Sequence, residues 1–162
     1  MDKLIDVLKK VLTEEIEEYK NLLNLIESKT DILIKGDIKK LDKMTEEEQK
    51  IIIKLGKFED LREKVLYNIK HREGIEKDLD VTLLLDYIDD ENKKQLKSTR
   101  EDFLKILEKI KDRNKLNSTL IEDSLDYINM NLNILTNNEE DLNYGGNKKK
   151  SKTANSIFNT KA

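Results

Sequence analysis

The sequence has no proline, no cysteine and no tryptophan among its 162 residues, and it has only five glycines. Proline costs about 3 kcal/mol inside a helix, so a chain without it has few interruptions to its helices. The absence of cysteine excludes disulfide bonds and thiolate metal sites. Hydrophobic residues make up 36% of the chain and charged residues 40%. This composition predicts long, largely solvated helices around a thin core.

Charges of the two signs are interleaved and nearly balanced, with 31 basic and 34 acidic side chains and a net charge of −3. A nucleic-acid surface would need a one-sided basic stripe, so we expect no nucleic-acid partner. No apolar run is longer than three residues, as in Ile51–Ile53 and Leu83–Leu85, which is far shorter than a membrane span. The first residues lack the apolar segment of a secretion signal. We therefore expect a cytoplasmic protein without stable membrane insertion.

Apolar residues recur at helical spacing along most of the chain. From Ile5 to Leu33 every seventh residue is apolar, which predicts a first helix over about residues 2–34. Gly36 fits the left-handed position that ends such a helix, and Asp37 can cap a short segment after it. The apolar stripe is wider than a two-stranded coiled-coil seam, which favours a bundle.

A second long helix is predicted over about residues 46–72. Thr45 and Glu48 match a capping box, in which each side chain bonds the backbone N–H of the other residue. Gly56 interrupts this helix at a cost of about 1 kcal/mol relative to alanine, and we expect the close approach of a neighbouring helix to explain it. Gly74 is expected to end the helix. The residues expected to face the core are Ile52, Leu55, Phe58, Leu61, Val65 and Ile69.

A short helix capped by Asp80 is predicted next, and a third long helix is predicted from near Asp89 or Asp90 to about Asn137. Its apolar ladder contains Asn114 and Asn117. Polar residues in a helical seam commonly fix register or partner choice at a cost in stability, and plain exposure is the alternative. The ladder consists of Leu96, Phe103, Leu107, Ile110, Asn114, Asn117, Ile121, Leu125, Ile128, Leu132 and Leu135.

The helical period stops after residue 138, where the chain becomes rich in asparagine, glycine and lysine. We predict an all-α fold, a long antiparallel helical bundle or coiled-coil hairpin with short connecting helices, over residues 1–138. We expect residues 139–162 to form a flexible basic tail.

No pattern typical of a catalytic or metal site is evident. His71 is the only histidine, and residue 68, three positions earlier, is asparagine, so the Glu-x-x-His pairs of di-iron bundles are missing. The acidic clusters Glu14–Glu18 and Glu46–Glu48 lack calcium-loop spacing, and we interpret the first as a solvated helix face. We expect a protein that is not an enzyme and uses no cofactor or metal. Residue counts alone leave a serine or carboxylate site open.

Three segments together resemble the FlgN family of flagellar export chaperones. The first is the leucine-rich opening helix through Leu22 and Leu23. The second is Leu41–Gln49 followed by Leu61–Arg62, and the third is Arg113–Ile121, which is similar to the family's Asn-x-x-Asn followed by paired apolar residues. Their order and spacing carry the resemblance, which covers essentially the whole chain.

This resemblance implies a non-enzymatic cytosolic chaperone. Such proteins bind the terminal helices of the hook-associated proteins at the hook–filament junction, prevent their premature assembly and deliver them to the flagellar type III export gate. The resemblance further implies that Tyr144, just past the last helix, docks to the cytoplasmic domain of the gate. The family's short apolar ending is similar to Ile157-Phe158, although this chain adds a longer Asn/Lys-rich spacer.

The client-binding residues are expected late in the third long helix, where the bundle has the fewest helices to cover them. They lie at spacings of 4, 3, 4 and 3 on one helical face, as anchors for a bound helix do. An oligomerising helical adaptor with no export client is the alternative function, and the sequence is compatible with a homodimer. The five residues are Ile121, Leu125, Ile128, Leu132 and Leu135.

Overall fold

The computed structural model describes residues 1–136, and these contain four helices and no strand. The all-α prediction is therefore confirmed. Residues 137–162 lie outside the described part, so the division between residues 1–138 and 139–162 stays a prediction. The helices are α1 (Asp2–Lys35), α2 (Ile38–Glu73), α3 (Val81–Leu84) and α4 (Asp90–Leu135).

The ends of the helices follow local signals that the sequence carries. Gly36 and Gly74 have φ values of 73° and 64°, the left-handed conformation that glycine adopts without a steric cost. The carboxylates of Asp37, Asp80 and Asp89 accept hydrogen bonds of 3.2, 2.7 and 2.9 Å from backbone N–H groups in the first turns of α2, α3 and α4. The helix ends at Gly36 and Gly74 and the cap at Asp80 were predicted and are confirmed. Asp37 was predicted to cap only a short segment, and Asp89 was predicted to lie near a helix start but not to act as a cap.

The start of α2 was predicted wrongly. α2 begins at Ile38 and continues through Thr45, so no helix begins at the capping box. The Thr45 hydroxyl donates instead to the carbonyl of Leu41, four residues earlier, at 3.0 Å. Since Asp37 already caps the helix and no glycine or proline follows before Thr45, α2 continues through the capping-box residues without a break.

The expected environment of Gly56 was also wrong. Apart from the glycine itself, its two neighbours in sequence and the nearby backbone of α2, no atom of residues 1–136 lies within 4 Å of the position that a Cβ would take there, so no neighbouring helix in this range approaches Gly56. Ile52 and Leu61, which were expected in the core, are 52% and 46% exposed, whereas Leu66 is buried. α2 packs mainly against α1, so its buried stripe is narrower than predicted. The expected core residues that are buried are Leu55, Val65 and Ile69.

α1 lies at the centre of the molecule and packs against both α2 and α4. One core cluster joins the start of α1 to the end of α2 and the start of α4, and a second joins later α1 to the middle of both other helices. α1 and α2 are therefore antiparallel, and α4 runs parallel to α1. The first cluster is Ile5, Leu8, Leu12, Val65, Leu66, Ile69, Leu84 and Leu96, and the second is Ile16, Leu22, Ile26, Leu55, Ile106 and Ile110.

α4 is longer than the hairpin that α1 and α2 form. Asn117 is hydrogen-bonded to Thr30, so it lies level with a point about one and a half turns before α1 ends at Lys35. The rest of α4, to Leu135, then extends past the tip of the hairpin by about 20 Å, at roughly 1.5 Å per residue. We call residues 118–135 the arm.

Candidate functional site

Two buried polar side chains hold α4 on α1 at the base of the arm. Thr30 and Asn117 are each 4% exposed. The Asn117 Nδ2 group donates to the carbonyl of Ile26 at 3.1 Å, and the Thr30 hydroxyl donates to Asn117 Oδ1 at 2.6 Å. The amide is thus bonded at both ends, once to a side chain and once to the backbone of α1. We call this contact the latch.

Asn114 lies in a different environment from Asn117. It is exposed, so its expected place on the buried ladder is wrong. α4 packs mainly against α1 at this level, and the buried seam is too narrow to include both asparagines. The register or partner role of Asn114 and Asn117 stays a prediction, and the latch makes Asn117 the better placed of the two.

A buried ion pair joins α1 and α2 in the middle of the bundle. Glu15 is 1% exposed, and one terminal nitrogen of Arg62 lies 2.6 and 2.8 Å from its two carboxylate oxygens. The Arg62 guanidinium lies 5.9 Å from the ring centre of Phe103 on α4, and Tyr19 meets the same ring edge-on at 5.1 Å. Burial raises the pKa of Glu15, and the neighbouring Arg62 opposes this increase. The group therefore links all three long helices.

Sequence reasoning missed this pair, because it placed Glu14–Glu18 on a solvated face. That interpretation is wrong for Glu15 and for Glu18, which is 8% exposed and lies 3.1 Å from Lys54. The available signal was the seven-residue count, which places Glu15 at a core position of α1. Because its carboxylate is hydrogen-bonded to Arg62, Glu15 connects α1 to α2 in the interior of the bundle.

No metal site is apparent in the described residues, where no group of three or more His, Asp or Glu side chains could hold an ion. His71 is exposed, and its ring packs on that of Tyr67 with the centres 4.1 Å apart. Across residues 1–136, no helix is long and apolar enough to cross a membrane.

The predicted client-binding residues lie along one face of the arm, and we call them the stripe. Ile121 and Leu125 are half-buried, whereas Ile128, Leu132 and Leu135 are 52%, 52% and 81% exposed. No residue from 118 to 136 is buried, because α1 and α2 end before the arm does. The stripe is thus available to another helix, while its binding role stays a prediction.

The arm carries a second set of apolar side chains that sequence reasoning missed. They lie about 140° around the helix from the stripe, counting roughly 100° per residue. Their spacings of 4, 7, 3 and 4 were the available signal. A helix that is apolar on two sides normally has partners on both. This second face begins at Leu116 (44% exposed), just before the arm, and continues along the arm with Leu120 (half-buried), Tyr127 (62%), Met130 (53%) and Ile134 (63%).

The charge of the arm is of one sign. Glu122, Asp123 and Asp126 are acidic, and residues 117–136 contain no lysine or arginine. Asp123 lies within the second face and Asp126 lies beside it, again at roughly 100° per residue. The arm therefore suits partners that combine apolar anchors with basic side chains.

Comparisons with known proteins give one family and one relative. The family model described as FlgN protein matches residues 1–152. The chain is 27% identical over 126 residues to "Uncharacterized protein YvyG" of Bacillus subtilis (strain 168), and this match covers 78% of the chain and 77% of that protein. No solved structure matches the chain. The matched range includes Tyr144, which lies outside the described residues.

Proposed function

Since the chain belongs to the FlgN family, we propose that it is a cytoplasmic flagellar export chaperone whose arm holds a client helix along the stripe. The clients are the terminal helices of hook-associated junction proteins, which the chaperone keeps from assembling and delivers to the export gate. The proposal assigns no reaction and no cofactor to the chain. The observation that carries it is the uncovered apolar face beyond the hairpin tip.

The energetics of the stripe fit reversible binding. Ile128, Leu132 and Leu135 are each more than half exposed, and covering them would contribute about 1–2 kcal/mol per side chain. Part of this sum offsets the loss of translational and rotational freedom on association. The arm is already helical and is fixed at its base by the latch, so little of the sum is lost in ordering it. The sum falls short of the roughly 8 kcal/mol that a micromolar affinity requires, so the apolar anchors of the client helix must supply the remainder. Binding of about this strength suits a client that must later be released.

The double substitution Ile128→Ala and Leu132→Ala tests the proposal. It should weaken binding of a junction-protein terminal helix roughly 100-fold, which corresponds to about 3 kcal/mol. Isothermal titration calorimetry would measure the affinity. Ile52→Ala with Ile53→Ala is the matched control, because these side chains are 52% and 64% exposed on α2, away from the arm. The control should bind as the wild type does.

Each other outcome of this experiment has a defined meaning. Unchanged affinity of the Ile128/Leu132 variant would refute the proposal. Global unfolding of this variant would show that the stripe belongs to the core of the protein.

The adaptor alternative is favoured by one observation, which is that the arm is apolar on two sides. An adaptor without an export client would self-associate through the arm. Light scattering of the purified chain would then show an oligomer that the Ile128/Leu132 variant dissociates, and no junction-protein helix would bind to either form.

The docking role of Tyr144 is a separate part of the proposal. By the family resemblance, Tyr144→Ala should weaken binding to the cytoplasmic domain of the export gate at least tenfold, about 1.4 kcal/mol, and leave client binding intact. Equal gate affinity of wild type and variant, measured with client bound, would remove Tyr144 from the mechanism.

A further inference from the structure

The second apolar face of the arm has no assigned partner. Tyr127, Met130 and Ile134 are 62%, 53% and 63% exposed, and they point well away from the stripe. A single client helix on the stripe leaves this face in contact with water. A partner for it must therefore come from somewhere other than the client helix, and the charge of the arm restricts the choice.

The end of the chain has the complementary composition. Residues 147–162 contain five lysines and no acidic residue, and their only large apolar side chains are Ile157 and Phe158. The arm contains three acidic residues and no basic one. A second copy of the chain would instead bring another acidic arm to the same face, and like charges would oppose that contact.

The length of the chain allows this contact within one molecule. Asp123 lies about 20 Å back along the helix from Thr136, at roughly 1.5 Å per residue. Lys148 follows Thr136 by twelve residues, which can span up to about 40 Å when extended. Because the two segments belong to one chain, their effective concentration is on the order of millimolar, which favours even a weak contact.

We propose that residues 147–162 dock on the second face of the arm of the same molecule. Ile157 and Phe158 pack beside Tyr127 and Met130, and the lysines lie near the arm's acidic residues. The stripe stays open to a client on the other side. This inference rests on the proposed function in one respect, which is that the client helix occupies the stripe.

Disulfide cross-linking tests the proposal directly, since the chain has no cysteine of its own and an engineered pair reports one contact. Phe158→Cys is combined with Met130→Cys on the second face. The matched controls combine it with Asn129→Cys on the polar side or Leu132→Cys on the stripe. With copper phenanthroline as oxidant, we expect the Met130 pair to form an intramolecular bond at least tenfold faster than either control. Each rate is divided by the rate at which that arm cysteine reacts with a small disulfide reagent, which corrects for exposure.

The charge part of the proposal has its own variant. Asp123→Asn with Asp126→Asn should slow cross-linking of the Met130 pair at least threefold, and so should 0.5 M salt, which screens such contacts. Asp112→Asn, an exposed α4 carboxylate before the arm, is the control and should have no effect.

The other outcomes all overturn the proposal. Equal rates at the three arm positions would show that the tail does not dock on this face, and a faster Leu132 pair would place it on the stripe. Intermolecular disulfides would show that a second copy covers the face instead. No client is present in this experiment, so its failure is distinct from a failure of client binding.

Discussion

Replacing the two side chains of the latch, singly and together, tests whether they fix the register of α4 on α1. Thr30→Val leaves the Asn117 Oδ1 acceptor buried without its donor, at a cost of about 1–3 kcal/mol. Asn117→Leu leaves the Thr30 hydroxyl with a second acceptor, the Ile26 carbonyl at 3.3 Å. That single change should therefore cost less, about 1 kcal/mol.

The double variant should be much more stable than the two single variants suggest. When both polar side chains are replaced together, no buried side-chain donor or acceptor of the latch is left unpaired, and an apolar pair of similar shape is close to neutral. The two single costs sum to about 3 kcal/mol, so we expect a coupling free energy of about 2 kcal/mol. Urea denaturation of the four proteins measures it. Asn114→Leu, at an exposed position, should change stability by less than about 0.5 kcal/mol.

Register needs a readout that stability does not give. Spin labels on cysteines introduced at Asp31 and Lys115, both exposed, report the distance between α1 and α4. We expect a single narrow distance in the wild type and a broad or split distribution in the double variant. If the destabilisation of the double variant equals the sum of the two single effects within about 0.5 kcal/mol, the coupling is refuted. A stabilised Asn117→Leu protein with unchanged distance, oligomeric state and client binding would refute the register role.

Three further predictions concern the bundle. Arg62→Met should destabilise the fold by about 3–5 kcal/mol because it leaves Glu15 buried without its partner, and adding Glu15→Gln should recover part of this loss in urea denaturation. Because the pKa of Glu15 is raised in the folded protein, its contribution to stability is present below the ordinary pKa of 4.5 and declines as pH rises through the folded pKa. The urea midpoint of the wild type, measured relative to that of Glu15→Gln, should therefore fall as pH increases from 4.5. A rise would contradict this prediction. Gly56→Ala should raise the free energy of unfolding by about 1 kcal/mol, because alanine favours the helix and its Cβ has free space there. Gly36→Ala should lower it, because φ is 73° at that residue. Equal effects of the two substitutions would contradict the conformations assigned to these glycines.

Local signals allowed the helix ends to be predicted, because they act over a few residues. Gly36, Gly74 and Asp80 each satisfy the backbone groups of one turn, and they do so whatever the rest of the chain does. The error at Thr45 came from two start signals close together. The earlier one, at Asp37, began the helix, and nothing between the two ended it.

The side of each helix that is buried could be predicted only in part, because it depends on how many neighbours the helix has. Ile52 is apolar at helical spacing and is nonetheless exposed, because α2 packs mainly against α1. The burial of Asn117 was considered from sequence, but its partner Thr30 lies 87 residues away and no pattern connects them. The stripe was predicted as one face, and its exposure follows from the lengths of α1 and α2 relative to α4.

Because the chain is synthesised from α1 towards α4, the α1–α2 hairpin can fold before the arm has been made. Helical hairpins with mostly local contacts form within microseconds to milliseconds. Synthesis adds about 5–20 residues per second, so the roughly 40 residues from Gly74 to Asn117 take about 2–8 s to appear. During those seconds the α1–α2 hairpin is folded, and the side of α1 that later packs against α4 is exposed to solvent. A chain interrupted at this stage has a hairpin but no arm, so the proposed client-binding surface forms only after the hairpin that supports it.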